Sequence, residues 1–269
     1  MAQHRQRLLQ AADRLWFSAS GTALRGLARQ SADLLAPVWC LGCRAPETGL
    51  CQECAEDLRL LTAEPFRAEA AAQALPVVEV SDRGLTVLPV ISAGHYQGLA
   101  AQAVVAFKDH ERTALAQVLA PALGRALRAA SEALLDGRTA LLVWPPASPR
   151  SHLKRGRVPL TELINAAVLP DSLRRAGGLV QHTGRVWRSL GGKGQKGRSG
   201  RDRRQASGTF RLAPQAAAGI RGADILLVDD VLTTGATLQE LYRLLSSAGA
   251  RVQGAAVLVA TPRASRAGE

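Results

Sequence analysis

The chain has 269 residues, 47% hydrophobic and only 4% aromatic, with a formal net charge of +12 and a pI of about 10.8. That length supplies one large domain, or one domain plus a small module, with a core packed mainly by Leu, Val and Ala. The longest apolar runs, such as Ala255–Ala260, fall far short of the roughly 20 residues of a membrane span, and the basic balance, partly a compositional bias, favours anionic partners such as nucleic acid, phosphorylated metabolites or membrane surfaces.

Residues 1–36 read as helical, with Leu8, Leu9, Ala12, Leu15 and Trp16 recurring at helical spacing. Such a segment can touch a membrane or a partner helix, and more commonly packs on its own domain. No continuous apolar stretch is followed by a cleavage site, so no secretory signal is expected and the location expected is cytoplasmic.

All four cysteines fall in the next segment, 37–60, as two C-x-x-C pairs: Cys40 with Cys43, and Cys51 with Cys54. Each pair presents two thiolates from one tight turn, and two such turns face each other as a tetrahedral Cys₄ set suited to Zn²⁺. The short gap between the pairs makes a small knuckle, folded largely by its metal. A closed set of four thiolates leaves no open position, so the role expected is structural or in recognition, not catalytic. Two disulfides are the competing reading, disfavoured in a reducing cytosol.

Residues 61–85 have weak periodicity and read as a linker or a short helix. From Thr86 strands and helices alternate. Thr86–Ser92 reads as a strand, Gly98–Phe107 and Thr113–Leu135 as helices, Thr139–Trp144 as a strand, Pro159–Val168 as a helix and Gly178–Gln181 as a strand. Gly191–Gly208 is rich in Gly and Arg and reads as a loop. Ile225–Val228 (strand), Thr237–Ala248 (helix) and Arg251–Val259 (strand) complete the pattern. Alternation of this kind implies an α/β domain with a parallel sheet and flanking helices, here over residues 86–265. Gly192-Lys193-Gly194-Gln195-Lys196-Gly197 matches G-x-G-x-x-G, but it follows no strand and opens no apolar-periodic helix, so it is not a dinucleotide fingerprint.

The informative segment is Ile225-Leu226-Leu227-Val228-Asp229-Asp230-Val231-Leu232-Thr233-Thr234-Gly235-Ala236-Thr237. Four apolar residues form a buried strand, and two acids are expected immediately past its carboxyl end, the edge where open parallel sheets bind ligands. A loop of small and hydroxyl residues then opens a helix, and can aim backbone N–H groups and the hydroxyls of Thr233, Thr234 and Thr237 at a phosphate. Asp229 and Asp230 suit the vicinal hydroxyls of a ribose. Together they point to a ribose 5-phosphate ligand.

This segment resembles the phosphoribosyl pyrophosphate (PRPP) motif of type I phosphoribosyltransferases, and the wider arrangement resembles the ComF family of competence-associated proteins. The supporting features are the paired cysteines ahead of the domain, Gly94-His95-Tyr96 with Phe107-Lys108, and the basic stretch with Gln195, Ser199-Gly200-Arg201 and Gly208-Thr209-Phe210. The resemblance implies a type I phosphoribosyltransferase-like parallel sheet behind a Cys₄ zinc knuckle. It also implies an Mg²⁺-dependent transfer of a phosphoribosyl group from PRPP to an unidentified acceptor. Asp229 and Asp230 would be catalytic and hold the ribose, while Val231, Leu232, Thr233, Thr234, Gly235, Ala236 and Thr237 would complete the cradle for the 5-phosphate. Ser148 and Arg150, in the turn after a strand, would meet the pyrophosphate, and Lys196 and Arg201 would belong to a lid over Val186–Gly208. The same basic loop can grip a nucleic-acid backbone or stay solvated. Where the family continues Arg-Gly-Phe-Asn-Gln, this chain has Arg155-Gly156-Arg157-Val158-Pro159, so the amide-bearing pair is missing. At the level of process the family implies DNA uptake, with single-stranded DNA and a competence helicase or other DNA-uptake proteins as partners. A single-stranded-DNA-binding protein with a catalytically silent fold is the alternative, although its scattered tryptophans make a poor stacking platform.

Overall fold

The computed structural model describes residues 38–82, 84–110, 112–147, 156–183, 209–214 and 216–262. The helix expected at 1–36, the turn residues Ser148 and Arg150, the basic residues Lys154 and Arg155, and the whole loop 186–208 with Lys196 and Arg201 lie outside the described residues. The chain divides between Cys54 and Ala55 into two units.

Along the described chain run α1 (Gln52–Leu60), β1 (Phe66–Arg67), β2 (Val77–Ser81), β3 (Gly84–Val87), β4 (Val90–His95), α2 (Gly98–Asp109), α3 (Ala116–Leu134) and β5 (Ala140–Val143). Next come α4 (Pro159–Ala166), β6 (Leu173–Arg175), β7 (Val180–His182), β8 (Phe210–Leu212), β9 (Asp224–Leu232), α5 (Ala236–Ser247) and β10 (Arg251–Ala260). The central sheet has six strands in the order β1-β4-β10-β9-β5-β6, with two separate hairpins, β2–β3 and β7–β8. Five of the six run parallel, and β1 pairs antiparallel at the edge. The result is the mixed α/β, mostly parallel sheet that the alternation of elements implied.

Burial follows from the parallel arrangement, which covers both faces of the inner strands. Ile225, Leu226, Leu227 and Val228 are fully buried, as is Ala255–Ala260 of β10. Ile225 and Leu227 pack with Leu238, Leu241 and Leu245 of α5, while Leu226 and Val228 point to the other face by the two-residue period of a strand. Helix α3 packs on β4 and β10. Its closeness at Gly254 depends on glycine, because a Cβ there would stand 2.8 Å from the Pro89 carbonyl and 2.6 Å from Leu134.

Two stretches differ from expectation. The segment 61–85 is built of β1, a 3₁₀ turn at Glu69–Ala71 and the hairpin β2–β3, the β-branched Val77, Val78 and Val80 favouring extended chain. Thr86–Ser92 is not one strand but the end of β3 and the start of β4. Pro89 has no N–H for a ladder, and its carbonyl accepts instead from the Ala255 N–H at 2.9 Å. Among the described residues no helix is long and apolar enough to cross a membrane.

Candidate functional site

The site arises from unequal strand lengths. β9 pairs on one side with β5, which reaches only Val143, opposite Leu227. There Pro145 and Pro146, without N–H groups, carry the chain away. On its other side β9 pairs with β10 through Val257 opposite Asp229, Val259 opposite Val231 and Ala260 opposite Leu232. Asp229 and Asp230 are thus within the strand, not past its end as expected, because β10 keeps pairing with them. Relative to β5 they overhang, and the overhang opens a crevice. Chain order reverses there: β5 leads outward to β6, and β9 leads the other way to β10. That is the switch point at which open α/β sheets bind ligands.

A cavity of about 440 Å³ lies in this crevice. Its floor is Asp229 and Asp230, with Thr233 and Thr237 following. The turn into α5 is made by Gly235, whose φ of 84° lies in the left-handed region; a Cβ there would stand 2.8 Å from Leu75 Cδ2. Both constraints call for glycine. The Ala236 N–H donates to Thr234 Oγ1 at 3.3 Å, and the Ala74 N–H donates to the Thr234 carbonyl at 2.8 Å, fixing the loop from the 61–85 side. Thr233 and Thr234 are exposed. No side chain caps α5 and no acid lies in its first turn, so its positive end is left for an anion.

The two acids are not equivalent. The Asp230 N–H donates to Asp229 Oδ1 at 2.9 Å, and Asp230 Oδ2 lies 2.6 Å from Lys108 Nζ at the end of α2. Burial, with the neighbouring Asp230 charge, pushes the Asp229 carboxyl up to about 7; the Asp230 N–H and Lys108 only partly offset this.

Pro145, Pro146 and Ala147 line the wall after β5, where the pyrophosphate turn was expected. Arg157 also reaches the cavity but is heavily engaged. Its Nε lies 3.0 Å from both carboxylate oxygens of Glu162, it donates to the Phe107 carbonyl at 2.9 Å, and its guanidinium stacks 4.4 Å over the Phe107 ring. His182 and Phe210 are not recognisable as a pair from their positions along the chain. They pack 5.3 Å apart across the β7–β8 hairpin, with His182 Nε2 3.1 Å from the Pro146 carbonyl. Lys108 appeared in the sequence only through resemblance. No spacing pattern links residues 108, 157, 182 and 230, since the fold alone brings them together.

In the other unit the four cysteine sulfurs lie within 4.8 Å of one another, and Cys43 and Cys51 Sγ are 3.6 Å apart. Four thiolates around Zn²⁺ at roughly 2.3 Å have tetrahedral edges of about 3.8 Å, so the cluster fits that ion. The Cys51 N–H donates to Cys40 Sγ at 3.3 Å, and the Cys54 N–H to Cys51 Sγ at 3.5 Å, the kind of support that orients metal ligands. Burial pushes the Cys40 thiol up, but N–H groups of Cys51, Cys43 and Gly42 outweigh it and bring it down to about 6. All four thiols are free of disulfides.

A family model described as "Phosphoribosyl transferase domain" matches residues 168–267, the segment that carries Asp229 to Thr237. The chain is 52% identical over 46 residues to adenine phosphoribosyltransferase of Rhodococcus jostii (strain RHA1), covering 17% of this chain and 26% of that protein. It is 55% identical over 40 residues to the adenine phosphoribosyltransferase of Mycobacterium marinum (strain ATCC BAA-535 / M), covering 15% and 22%. The chain thus spans about a quarter of the length of the curated relatives it matches. A solved hypoxanthine phosphoribosyltransferase from Staphylococcus aureus superposes with a TM-score of 0.29 at 15% identity, covering 55% of this chain and 67% of that one, a likeness too low to bear on fold or function. The segment 168–267 is phosphoribosyltransferase-like, and it carries β9, α5 and β10 of the candidate site.

Proposed function

We propose that this chain binds PRPP with Mg²⁺ and transfers the phosphoribosyl group, with release of pyrophosphate, to an acceptor not yet identified. One observation carries the reading. Two adjacent carboxylates and an uncapped, glycine-turned helix start share one cavity at the switch point of a parallel sheet, within the segment matched to the phosphoribosyl transferase domain. Asp229 and Asp230 accept hydrogen bonds from the ribose hydroxyls. The loop Thr233–Thr237 cradles the 5-phosphate. The turn after β5, continuing into Ser148 and Arg150, takes the pyrophosphate, and Lys196 and Arg201 add charge from the basic loop. As pyrophosphate departs, positive charge develops on the sugar ring, and carboxylates close to the ribose favour that charge.

The donor set fits Mg²⁺: the hard carboxylate oxygens of Asp229 and Asp230 line the cavity, and this ion keeps waters and takes much of its shell from substrate oxygens. When bound it neutralises the leaving diphosphate.

The Cys₄ cluster binds Zn²⁺ as a structural site, and residues 37–60 form a knuckle ahead of a transferase-like domain over 86–265. The knuckle together with the transferase-like segment supports the ComF reading, a role in DNA uptake and a cytoplasmic location. A second reading, a catalytically silent fold that binds single-stranded DNA, is favoured by the departure at 155–159. The family's amide-bearing pair falls at Val158-Pro159, which carry no side-chain amide, and Arg157 before them is committed to Glu162 and Phe107. Pyrophosphate release, followed with PRPP, Mg²⁺ and a panel of nitrogenous heterocycles and amines, separates the two. Acceptor-dependent release that Asp229→Ala/Asp230→Ala abolishes is the expected result. PRPP binding without release from any acceptor supports the silent fold.

A further inference from the structure

The transferase-like match begins at residue 168, yet one charged group at the acidic pair comes from outside it. Lys108, in the last turn of α2, holds Asp230 Oδ2 at 2.6 Å, with Asp230 only 15% exposed and Lys108 38%. Asp229 is engaged from another side by the Asp230 N–H. Among the described residues lining the cavity, Arg157 also carries a positive charge, and it is engaged by Glu162. Two adjacent carboxylates facing a cavity of about 440 Å³ would ordinarily invite a divalent cation, because hard oxygen donors with room for water suit one. An ammonium in contact with one carboxylate occupies the position such an ion would need.

Resting on the PRPP reading, we propose that Lys108 is the positioning residue of the acidic pair: it fixes the Asp230 carboxylate toward the ligand and keeps the pair from chelating a divalent cation on its own. The metal then enters with the sugar diphosphate and not ahead of it. The ordering follows from competition. A free divalent ion has to displace Lys108 with nothing in exchange. A metal-bound diphosphate brings its own oxygen ligands, and its ribose hydroxyls engage Asp230 beside the ammonium.

The test uses the full chain and Mn²⁺ alone as probe, followed by electron paramagnetic resonance of the free ion. The wild type and Lys108→Arg take up no Mn²⁺ at this site. Lys108→Ala and Lys108→Met bind it at least about tenfold more tightly, and adding Asp230→Asn abolishes the gain. Calorimetry with PRPP and Mg²⁺ gives the second readout: Lys108→Met weakens binding about tenfold, and Lys108→Arg restores it. Mn²⁺ uptake by the wild type equal to that of Lys108→Ala, or no gain in Lys108→Ala and Lys108→Met, overturns the proposal. If the wild type binds no PRPP, the ligand reading fails while the Mn²⁺ comparison still decides the role of Lys108.

Discussion

Asp229 and Asp230 are neighbours in sequence with different electrostatic lives. Asp230 is paired with Lys108, whereas Asp229 is pushed up to about 7 by burial and by Asp230. A hydroxyl donor favours the ionised carboxylate, so PRPP binding below about pH 7 releases a proton from Asp229, and affinity rises as pH rises through that value. In the ligand-free protein the sign is opposite: between the ordinary carboxylate range and about 7 the folded state holds a proton that the unfolded chain has lost, so stability falls as pH rises. Calorimetry in buffers of different ionisation enthalpy measures the released proton. Asp229→Asn removes the protein's share and leaves only the proton that PRPP itself exchanges. An unchanged proton count in Asp229→Asn counts against the assignment.

At the scale of elements, the junction of β9 and α5 positions the site. Gly235 combines a left-handed φ with a neighbour, Leu75, that would sit 2.8 Å from a Cβ. Gly235→Ala therefore costs about 1–2 kcal/mol from the backbone, plus crowding against Leu75. Urea unfolding reads that loss, and phosphate-ligand affinity falls with it because the loop shifts. Stability and affinity both equal to the wild type would show the turn to be unstrained. The same junction shows what sequence reveals. The run Ile225–Val228, the two acids and the small-residue loop follow local rules of burial, hydrogen bonding and turn formation, so they could be read directly. That Asp229–Leu232 remain in the strand depends on how far β10 extends, and the crevice on how early β5 stops. Register between strands distant in sequence fixes both. The grouping of Lys108, Arg157, His182 and Phe210 has the same cause: Lys108, Arg157 and Phe210 stand in segments legible only through the family resemblance, and packing alone brings all four to the crevice. The 61–85 stretch reads as a linker or a short helix because its alternation is too short to outweigh the Ala, Glu and Pro around it.

At the scale of the molecule, a cysteine cluster and a phosphoribosyltransferase-like segment occur in one chain. A metal that folds its own site is required in stoichiometric amount. Elemental analysis is expected to find one zinc per chain, lost in Cys40→Ser/Cys43→Ser. Chelation should expose the Leu41 and Arg44 amides, bonded to Gly49 and Cys40 carbonyls, to hydrogen exchange. Amides equally protected with and without zinc would contradict a metal-folded knuckle. If the crevice beside Asp229 and Asp230 holds a phosphorylated ribose, titrating PRPP with Mg²⁺ into the zinc-loaded protein by calorimetry will register it. The prediction is one site per chain of micromolar affinity, abolished by Asp229→Ala/Asp230→Ala while the fold is retained. A folded wild type that takes up no PRPP would contradict it.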